Sequence, residues 1–388
     1  MTLLALSGDD PHAVWDALPQ ALAGEVPIAL GFEPAPDDVV PDGTAVVVAT
    51  SGSSGVPKKV ILSAAALRAS ATATADRIGE GQWLLTLPAG YVAGLQVLVR
   101  SHLAGTNPVR IDGHFTADAF VAATREMRHS ARYTSLVPAQ LATLLDDDRR
   151  EVREALAAYA AILVGGQALP VALRERAAER GARIVRTYGS SETAGGCVYD
   201  GVPLDGVQVS VGAAGATTKA SGDPDRGADA SDAELRITGP TLADGYLGNQ
   251  VLTERVFDVA DGIRWYRTGD AGEVVDGVVQ VHGRIDNVIV SGGINVSLDR
   301  VERIVRDVPG LEQAVVVGRS DDRWGEASVI VVAGTGRDGD RLLAEARDLV
   351  AAGIGRHARP AHLEIVGELP HLASGKPDRE RLRRLVAG

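Results

Sequence analysis

Short apolar runs alternate with helical patterns through the first half of the chain. "AVVVAT" at 45–50 precedes a helical pattern over about 63–78, and "WLLTLP" precedes one over "VAGLQVLVRSHLAG". The alternation continues through the apolar runs "YTSLVP", "AAILVGG" and "ARIVRTYG". This pattern predicts right-handed crossover units and a mostly parallel sheet. Ligands of such sheets bind in the loops after the carboxyl ends of the strands, so these loops are the first candidates for a site.

The pattern changes twice in the second half of the chain. Alternating strand patterns such as "ELRIT" and "GEVVDGVVQVHG" predict a β-rich subdomain over about 206–284. Within it, 212–232 is acidic and of low complexity, which predicts a flexible surface loop. Beyond "GRIDNVIVSGG" a compact α+β pattern follows. We therefore expect an α/β fold with a large N-terminal domain of crossover βα units at 1–284 and a small α+β C-terminal domain at 285–388.

Composition supports this division and excludes some classes of partner. The chain has 388 residues, more than one hydrophobic core usually supports, so two or more domains are expected. Its formal charge of -12 argues against a nucleic-acid or anionic-membrane partner, since both are bound through excess Lys and Arg. The charge places no limit on a small anionic ligand, which is bound by local groups.

Several features predict a cytoplasmic location. The start "MTLLALSGDD" lacks the basic region and the long apolar region of a signal peptide. Residues 81–99 are uncharged, but prolines and glycines interrupt them, so we expect a strand, a turn and a buried helix without membrane insertion. Cys197 is the single cysteine, which rules out an intramolecular disulfide and fits a reducing compartment.

The distribution of lysine points to two loops. Of the 39 basic residues only Lys58, Lys59, Lys219 and Lys376 are lysines. A lysine can persist in an arginine-rich chain where a compact, flexible ammonium is needed. Three of the four lie in the glycine-bearing loops "TSGSSGVPKKV" and "LASGKPDR", whereas Lys219 lies in the low-complexity loop. Chance and codon bias are the alternative explanation.

The loop at 50–60 has the composition of a phosphate-binding loop. We interpret it as lying between a strand and a helix, where backbone N–H groups, hydroxyls, a helix N-terminus and a lysine can all face an anion. The P-loop of nucleotide hydrolases requires lysine directly after its last glycine, but Val56 and Pro57 separate Gly55 from Lys58. The GxSxG motif of serine hydrolases is also missing from this loop and from "YGSSE".

Two further segments carry candidate carboxylates. Glu192 in "TYGSSETAGG" suits Mg²⁺, which prefers one or two carboxylates together with substrate phosphates. A glutamate stabilised by the dipole at a helix N-terminus is the alternative reading. Asp270 in "YRTGD" could face a ribose diol, or the segment could be a routine turn. Zinc is not expected, because neither Cys197 nor any histidine has a partner at metal-ligand spacing.

Taken together and in order, these motifs resemble those of the acyl-adenylate-forming superfamily of acyl-CoA synthetases, luciferases and peptide-synthetase adenylation domains. The similarity runs from Thr50 to Lys376 through "ELRITGPTLADGY", "YRTGD", "GRID" and "LPHLASGKPDR". Only 49 residues precede the phosphate loop. This short start, "LPAGYVAGLQVLVRSHLAGT" and "AAILVGGQALP" are most similar to the short actinobacterial form of the o-succinylbenzoate–CoA ligase family of menaquinone biosynthesis.

The resemblance implies a role for each matching residue. Lys376, Glu192 and Lys58 would be catalytic, with Glu192 also holding Mg²⁺ and Lys376 bridging the α-phosphate and the acyl carboxylate. Asp286 would be the hinge of a mobile C-terminal domain. The following residues would bind ATP: Thr50, Ser51, Gly52, Ser53, Ser54, Gly55, Lys58, Gly165, Gly166, Tyr188, Gly189, Ser191, Asp270 and Arg284. The CoA path would be lined by Ser291, Gly292 and Gly293, and position alone suggests Tyr91, Gln96, Ser135 and Ser190 for the acyl pocket.

Some positions depart from the family pattern. The usual threonine before the glutamate is Ser191, which keeps the hydroxyl, and a histidine common in the family is replaced by Tyr91. After the hinge, Leu298 and Arg300 stand where proline and glutamate are usual. The change at Tyr91 implies a remodelled acid pocket.

The expected substrates are ATP, CoA and a small carboxylic acid, with Mg²⁺ as the metal. One alternative is another adenylate-forming enzyme, either a different aryl or fatty acid–CoA ligase or a carrier-protein loader. The other is a nucleotide-binding protein without catalysis, which the presence of both Glu192 and Lys376 disfavours. The oligomeric state stays open, with a homodimer as one option.

Overall fold

The computed structural model describes residues 2–50, 57–111, 113–212, 233–321, 323–334, 338–372 and 375–387. The predicted phosphate-binding residues Ser51, Gly52, Ser53, Ser54 and Gly55 lie outside the described residues. Residues 213–232 of the expected flexible loop also lie outside them. The predictions for these two segments therefore remain predictions.

Two strands of the first sheet flank the phosphate-loop candidate in the sequence. Its elements begin with β1 (Leu4–Leu6), α1 (Pro11–Leu22), β2 (Ile28–Leu30), β3 (Thr44–Thr50), β4 (Lys58–Ser63) and α2 (Ala64–Ile78). β1, β2 and β3 are parallel, but β3 and β4 pair antiparallel, with Thr50 opposite Lys58. The interpretation of this loop as a strand-to-helix connection is therefore wrong. The loop joins two strands of a hairpin, and α2 begins only after β4.

The local sequence explains where α2 begins and ends. The Ser63 side chain accepts a hydrogen bond from the Ala66 N–H at 3.1 Å, which caps the first turn. Gly79 follows the last helical residue with φ of 92°, a backbone conformation that favours glycine. Leu67, Ala71 and Thr74 form part of the buried face of the helix. The helix predicted over about 63–78 is thus confirmed.

The second sheet contains the crossover units. Its elements are β5 (Gln82–Leu85), α3 (Val92–Leu103), β6 (Val109–Arg110), α4 (Ala117–Glu126), β7 (Arg132–Leu136), α5 (Pro138–Leu145), α6 (Arg150–Ala157), β8 (Ala161–Val164), α7 (Val171–Glu179), β9 (Ile184–Ser190), a 3-10 helix (Ser191–Thr193), β10 (Gly195–Tyr199) and β11 (Val202–Pro203). The strand order is β11-β10-β9-β8-β7-β5-β6, and β5 to β9 are parallel. The uncharged stretch at 81–99 forms β5, a turn and the buried part of α3, as expected. No helix among the described residues is long and apolar enough to cross a membrane.

The expected β-rich subdomain forms a third sheet. Its elements are β12 (Gln208–Gly212), β13 (Glu234–Thr238), β14 (Gly245–Tyr246), α8 (Gln250–Val256), β15 (Phe257–Ala260), β16 (Ile263–Val275) and β17 (Val278–Arg284). The order is β12-β13-β16-β15, with β17 paired to β16. β14 instead pairs with β4 of the first sheet. The segment "TGD" does not form the routine turn that was one of its two interpretations, because β16 continues through it with Gly269 at φ of 70°.

The C-terminal part forms a separate α+β layer. Its elements are β18 (Val288–Ser291), β19 (Ile294–Ser297), α9 (Leu298–Val305), β20 (Val315–Asp321), β21 (Gly325–Ala333), α10 (Gly339–Gly353), a 3-10 helix (Arg356–Ala358), β22 (His362–Val366) and α11 (Arg379–Val386). The buried residues Val301, Val305, Ile330 and Val350 belong to its own hydrophobic cluster. The predicted domain boundary falls between the end of β17 and the start of β18.

Candidate functional site

Lys58 and Lys59 stand next to each other in β4 but have different surroundings. The Lys59 ammonium lies 3.4 Å from Asp38 Oδ2 and 4.4 Å from the centre of the Phe32 ring. The Lys58 ammonium lies 5.8 Å from the centre of the Tyr246 ring. Successive side chains of a strand point to opposite faces. Lys59 is therefore held in a structural ion pair, whereas Lys58 faces the side of the sheet where Tyr246 lies.

Glu192 lies in a single 3-10 turn between the antiparallel strands β9 and β10. The residue is 9% exposed, its Oε1 accepts a hydrogen bond from the Tyr246 hydroxyl at 2.8 Å, and its carbonyl accepts one from the Ala243 N–H at 2.8 Å. The turn ends at Ala194, which has φ of 51°. The alternative reading as a glutamate at the N-terminus of an α-helix is therefore wrong.

The predicted ribose-binding pair lies beside the predicted adenine segment. The Tyr188 hydroxyl donates to Asp270 Oδ2 at 2.7 Å, and the Arg284 guanidinium lies 3.5 Å from Asp270 Oδ1. Arg284 also donates to the Thr268 carbonyl at 2.8 Å. Burial raises the pKa of Asp270, while the hydrogen bond from Tyr188 and the charge of Arg284 oppose that rise. Tyr188, Asp270 and Arg284 therefore form one connected polar group.

Lys376 comes from the C-terminal layer and reaches the N-terminal part of the chain. Its loop is closed by a β-bridge between His371 and Pro377 and by a 2.8 Å hydrogen bond from the Leu372 N–H to the Lys376 carbonyl. Directly after it, Arg379 at the start of α11 pairs with the buried carboxylate of Glu302 on α9 at 2.7 Å. This ion pair fixes the position of the lysine loop on its own domain.

Lys376 is exposed as a whole residue, but its ammonium is partly desolvated. Desolvation lowers the pKa of Lys376, and the charges of Glu192 and Asp270 act in the opposite direction. A side chain at Gly166 would place its β-carbon 3.6 Å from Lys376 Cε. The Gln167 side chain donates to the Gly375 carbonyl at 3.3 Å across the same boundary. The structure thus brings Lys376, Glu192, Asp270 and the Gly166 turn together.

Gly165 and Gly189 fit positions where backbones and side chains approach closely. A β-carbon at Gly165 would overlap the Thr187 hydroxyl, and one at Gly189 would overlap the Gly195 carbonyl of the neighbouring strand. Gly165 therefore allows the end of β8 to lie close to β9, and Gly189 allows β9 to lie close to β10. Ser191 occupies the first position of the 3-10 turn, directly before Glu192.

The predicted hinge and CoA path lie on the other side of the boundary. Asp286 Oδ1 accepts from Arg284 Nε at 2.9 Å, and this hydrogen bond lowers the pKa of Asp286. The predicted CoA path lies at the end of β18 and in the turn before β19, at Ser291, Gly292 and Gly293. In this turn the Gly292 N–H donates to the Trp324 carbonyl at 2.8 Å. Among the described residues no hydrogen bond or ion pair joins this turn to Lys376 or Glu192.

The suggested acyl-pocket residues have different surroundings. Gln96 is 1% exposed, and its amide donates to the Ala194 carbonyl at 2.8 Å, so it packs against the Glu192 turn. Its assignment to the acyl pocket stays a prediction. Ser135 is also buried, within β7. Ser190 donates to or accepts from the Tyr266 hydroxyl at 3.3 Å. Tyr91 directly precedes α3, and burial, followed by the charge of Asp9, raises the pKa of Tyr91.

Sequence reasoning missed three residues that surround this site. Tyr246 contacts Glu192, Tyr266 contacts Ser190, and His371 lines a cavity of about 150 Å³. The other residues that line the cavity are Leu87, Pro88, Val137, Ala139, Gln140 and Gly375. All three lie in motifs quoted above, because Tyr246 ends "ELRITGPTLADGY", Tyr266 begins "YRTGD" and His371 lies in "LPHLASGKPDR". A signal was therefore present for each, although no role was assigned to it.

The residues fit the binding of Mg²⁺ together with a phosphate ligand. Among the described residues no group of three or more His, Cys, Asp or Glu side chains could hold a metal alone. Mg²⁺ prefers one or two carboxylates plus substrate phosphates, and it rarely takes a cage made only of protein ligands. A single buried carboxylate at Glu192, with Lys58 near its tyrosine partner, is the donor set that this preference requires.

Comparison with known proteins identifies the family to which the chain belongs. Residues 5–247 match the AMP-binding enzyme family, and residues 300–376 match the C-terminal domain of AMP-binding enzymes. The chain belongs to the AMP-binding enzyme family. The family resemblance and the fold class predicted from the sequence are therefore confirmed.

Curated relatives of this AMP-binding enzyme include several CoA ligases. A probable 2-succinylbenzoate–CoA ligase from Mycobacterium tuberculosis is 39% identical over 99% of this chain and 93% of its own length. An indoleacetate–CoA ligase from Aromatoleum aromaticum is 31% identical over 96% of this chain and 74% of its own.

Solved structures show the same fold. The amide bond synthetase McbA from Marinactinospora thermotolerans has a TM-score of 0.73 and 25% identity, covering 99% of this chain and 80% of its own. The o-succinylbenzoate CoA synthetase MenE from Bacillus subtilis, in complex with its acyl-adenylate intermediate, has a TM-score of 0.73 and 22% identity over 98% of this chain and 83% of its own. At 22% identity, the similarity to MenE concerns the fold alone.

Proposed function

We propose that this AMP-binding enzyme is an ATP-dependent acid–CoA ligase that adenylates 2-succinylbenzoate and then transfers the acyl group to CoA. The observation that supports adenylation is the position of Lys376, from the C-terminal layer, beside the Gly166 turn of the N-terminal part, where the charges of Glu192 and Asp270 act on it. The choice of acid rests on the relative from Mycobacterium tuberculosis, which matches nearly the full length of both chains.

Adenylation joins two anions, so the site must neutralise charge. A carboxylate oxygen of the acid attacks the α-phosphorus, a new P–O bond forms, and pyrophosphate leaves with the electrons of the broken P–O bond. In this proposal Lys58 holds the β- and γ-phosphates, and Lys376 bridges the α-phosphate and the attacking carboxylate. Ammonium groups fixed in place before the reaction stabilise the charge of the transition state without reorganisation.

The remaining residues hold the nucleotide. Asp270 and Arg284 would bind the ribose hydroxyls, and Gly165, Gly166 and Tyr188 would flank the adenine. Glu192 would hold Mg²⁺, which supplies positive charge to the triphosphate when it is bound. MenE from Bacillus subtilis, which has the same fold, was solved in complex with ATP and magnesium, and this complex supports both as ligands here.

Thioester formation needs the CoA thiol at the acyl carbonyl that Lys376 occupies during the first step. We propose that the domain at 285–388 rotates about Asp286 against the domain at 1–284. This rotation would exchange Lys376 for the turn at Ser291–Gly293. A hinge of this kind consists of a few boundary residues that absorb changes in φ and ψ.

The proposed substrates ATP and CoA support a cytoplasmic location. A reducing environment for Cys197 supports it as well.

A different acid is the second candidate, and one specific observation favours it. An indoleacetate–CoA ligase is 31% identical over most of this chain. Indoleacetate has one carboxylate, whereas 2-succinylbenzoate has two, so the two candidates differ in the charge that the acid pocket must accept. A nucleotide-binding protein without catalysis would have no need for the opposed Glu192 and Lys376.

A panel of acids tests the proposal. Pyrophosphate release and CoA consumption are measured separately with 2-succinylbenzoate, benzoate, indoleacetate and a medium-chain fatty acid. We expect both signals with 2-succinylbenzoate at the highest kcat/KM. Pyrophosphate release without CoA consumption would point to a carrier-protein loader. No pyrophosphate release with any acid would refute adenylation itself.

A further inference from the structure

Tyr246 joins the strand after the phosphate loop to the Glu192 turn. Its strand β14 pairs antiparallel with β4, so that Tyr246 lies opposite Val60. The Leu247 N–H extends this pairing by donating to the Lys59 carbonyl at 2.8 Å. The residue is 5% exposed, and its hydroxyl donates to Glu192 Oε1 at 2.8 Å. One side chain therefore links two elements that carry candidate ATP-binding residues.

The position of the Tyr246 ring is fixed from several sides. Its backbone N–H donates to the Thr253 hydroxyl on α8 at 2.9 Å, and its ring lies 6.0 Å from the Phe257 ring. Gly245, directly before it, has φ of 152°, and a β-carbon there would lie 2.5 Å from the Thr253 methyl group. The close packing of Gly245 against Thr253 leaves the tyrosine little freedom to move.

The hydroxyl and the aromatic ring of Tyr246 contact different groups. The hydroxyl contacts one oxygen of Glu192, while the ring faces the Lys58 ammonium at 5.8 Å. An ammonium within about 6 Å of an aromatic centre is attracted to the ring face. Among the described residues no hydrogen-bond donor contacts the second oxygen of Glu192, Oε2. The hydroxyl thus determines which carboxylate oxygen is available to a ligand.

We propose that Tyr246 is a positioning residue whose hydroxyl holds Glu192 Oε1 and leaves Oε2 for Mg²⁺, while its ring orients Lys58 toward the phosphates of the same nucleotide. This inference rests on the proposed function, because it assigns Mg²⁺·ATP to the site. A carboxylate held by one fixed donor loses little further freedom when a cation binds its other oxygen. Tyr246 would therefore act on metal affinity and not on the reacting atoms.

The test compares nucleotide binding with and without the metal. Tyr246→Phe keeps the ring and removes the hydroxyl. Removing one hydrogen bond to a carboxylate should weaken Mg²⁺·ATP binding about tenfold. Binding of ATP in EDTA should stay within about twofold, because the ring beside Lys58 is kept. Isothermal titration calorimetry measures both dissociation constants directly, without turnover. Tyr246→Leu removes the aromatic ring as well, so it should also weaken the binding of ATP in EDTA.

Tyr159→Phe is the matched control. Tyr159 is also buried, and its hydroxyl bonds to Thr124 at 2.7 Å within a different hydrophobic cluster. This variant loses the same atom in a hydrophobic cluster separate from that of Tyr246, and the Tyr159 hydroxyl bonds to Thr124 and not to Glu192, so both dissociation constants should equal those of the wild type. In steady-state assays Tyr246→Phe should raise the KM for Mg²⁺·ATP and change kcat less.

Two results would overturn the inference. One is an equal loss of ATP affinity with and without Mg²⁺ in Tyr246→Phe, and the other is no loss at all. If Tyr246→Phe melts below the assay temperature, Thr253→Ala replaces it, because it frees the Tyr246 backbone and should weaken Mg²⁺·ATP binding in the same direction. If the Mg²⁺ dependence of ATP binding is unchanged in Thr253→Ala, the positioning role of Tyr246 is refuted. A wild-type protein that binds Mg²⁺·ATP but adenylates no acid refutes only the proposed function.

Discussion

Replacing Lys376 by alanine should separate the two half-reactions. The lysine side chain extends from the C-terminal layer to the Gly166 turn, where the charges of Glu192 and Asp270 act on it. Lys376→Ala removes one positive charge from this position and leaves the nucleotide-binding residues of the N-terminal part unchanged. Adenylation brings two anions together and should lose rate. Acyl transfer to CoA, in which the proposed rotation removes Lys376 from the site, should not.

The size of the loss follows from the electrostatics of this position. One ammonium about 4 Å from an anion contributes roughly 4 kcal/mol at an effective dielectric constant of about 20. Lys376 is exposed to the cleft, so solvent screening should reduce this to about 2–3 kcal/mol. A difference of this size corresponds to a rate about 30- to 160-fold lower. Loss of one fixed donor to a developing anion has similar or larger effects in other enzymes, about 10² to 10³.

The assay treats the steps one at a time. Pyrophosphate release with ATP and acid reports adenylation, and thioester formation from a supplied acyl-adenylate and CoA reports transfer. Lys59→Ala is the control, since it also removes a lysine ammonium, but from an ion pair with Asp38 outside the site. We expect the control to match the wild type in both assays. Equal losses in both half-reactions of Lys376→Ala would contradict the role assigned to this lysine.

Three further predictions concern the hinge, the pH dependence and the nucleotide pocket. Asp286→Pro should cripple thioester formation more than adenylation, and separate measurements of CoA consumption and pyrophosphate release decide this. Because desolvation lowers the pKa of Lys376, its protonated form is lost at a lower pH than for an ordinary lysine. The adenylation rate should therefore fall as the pH rises through that pKa, and Lys376→Arg should remove this fall from the pH profile. Tyr188→Phe removes a hydrogen bond that opposes the raised pKa of Asp270. ATP affinity, measured by titration, should then begin to fall at a higher pH than it does in the wild type as the pH is lowered.

Local periodicity predicted the helices well, because a buried helical face repeats along the sequence itself. The patterns over about 63–78 and over "VAGLQVLVRSHLAG" correspond to α2 and α3. The loop at 50–60 was wrongly interpreted as a strand-to-helix connection, and this error has a related cause. A short apolar run such as that of β4 shows that a strand is present, but it does not show which strand pairs with it or in which direction. The antiparallel pairing of β3 and β4 depends on partners that the run does not encode.

The candidate site was predicted only as far as its motifs extend. Glu192, Asp270 and Lys376 were found because each lies in a recognisable segment. The contact between Glu192 and Tyr246 joins residues 54 positions apart and follows from β14 crossing to the first sheet. Gln96 was suggested for the acyl pocket from its position alone, and its bond to the Ala194 carbonyl was not predicted. Both contacts depend on tertiary packing, which a local pattern does not contain.

The orientation of the C-terminal layer is held by bonds that involve backbone atoms of β17. Arg303 on α9 donates to the carbonyls of Val281 and His282 at 2.9 and 2.7 Å, and the Arg284 N–H donates to Asp299 Oδ2 at 2.8 Å. Any residue offers the same backbone groups, so no sequence pattern on β17 marks this contact. Hydrogen bonds to charged groups contribute about 1.5–3 kcal/mol each, and less where solvent screens them, as it does here. The bond from Gln167 to the Gly375 carbonyl adds to these three. The total is a few kcal/mol, an amount that the binding of a substrate to the proposed second orientation can supply.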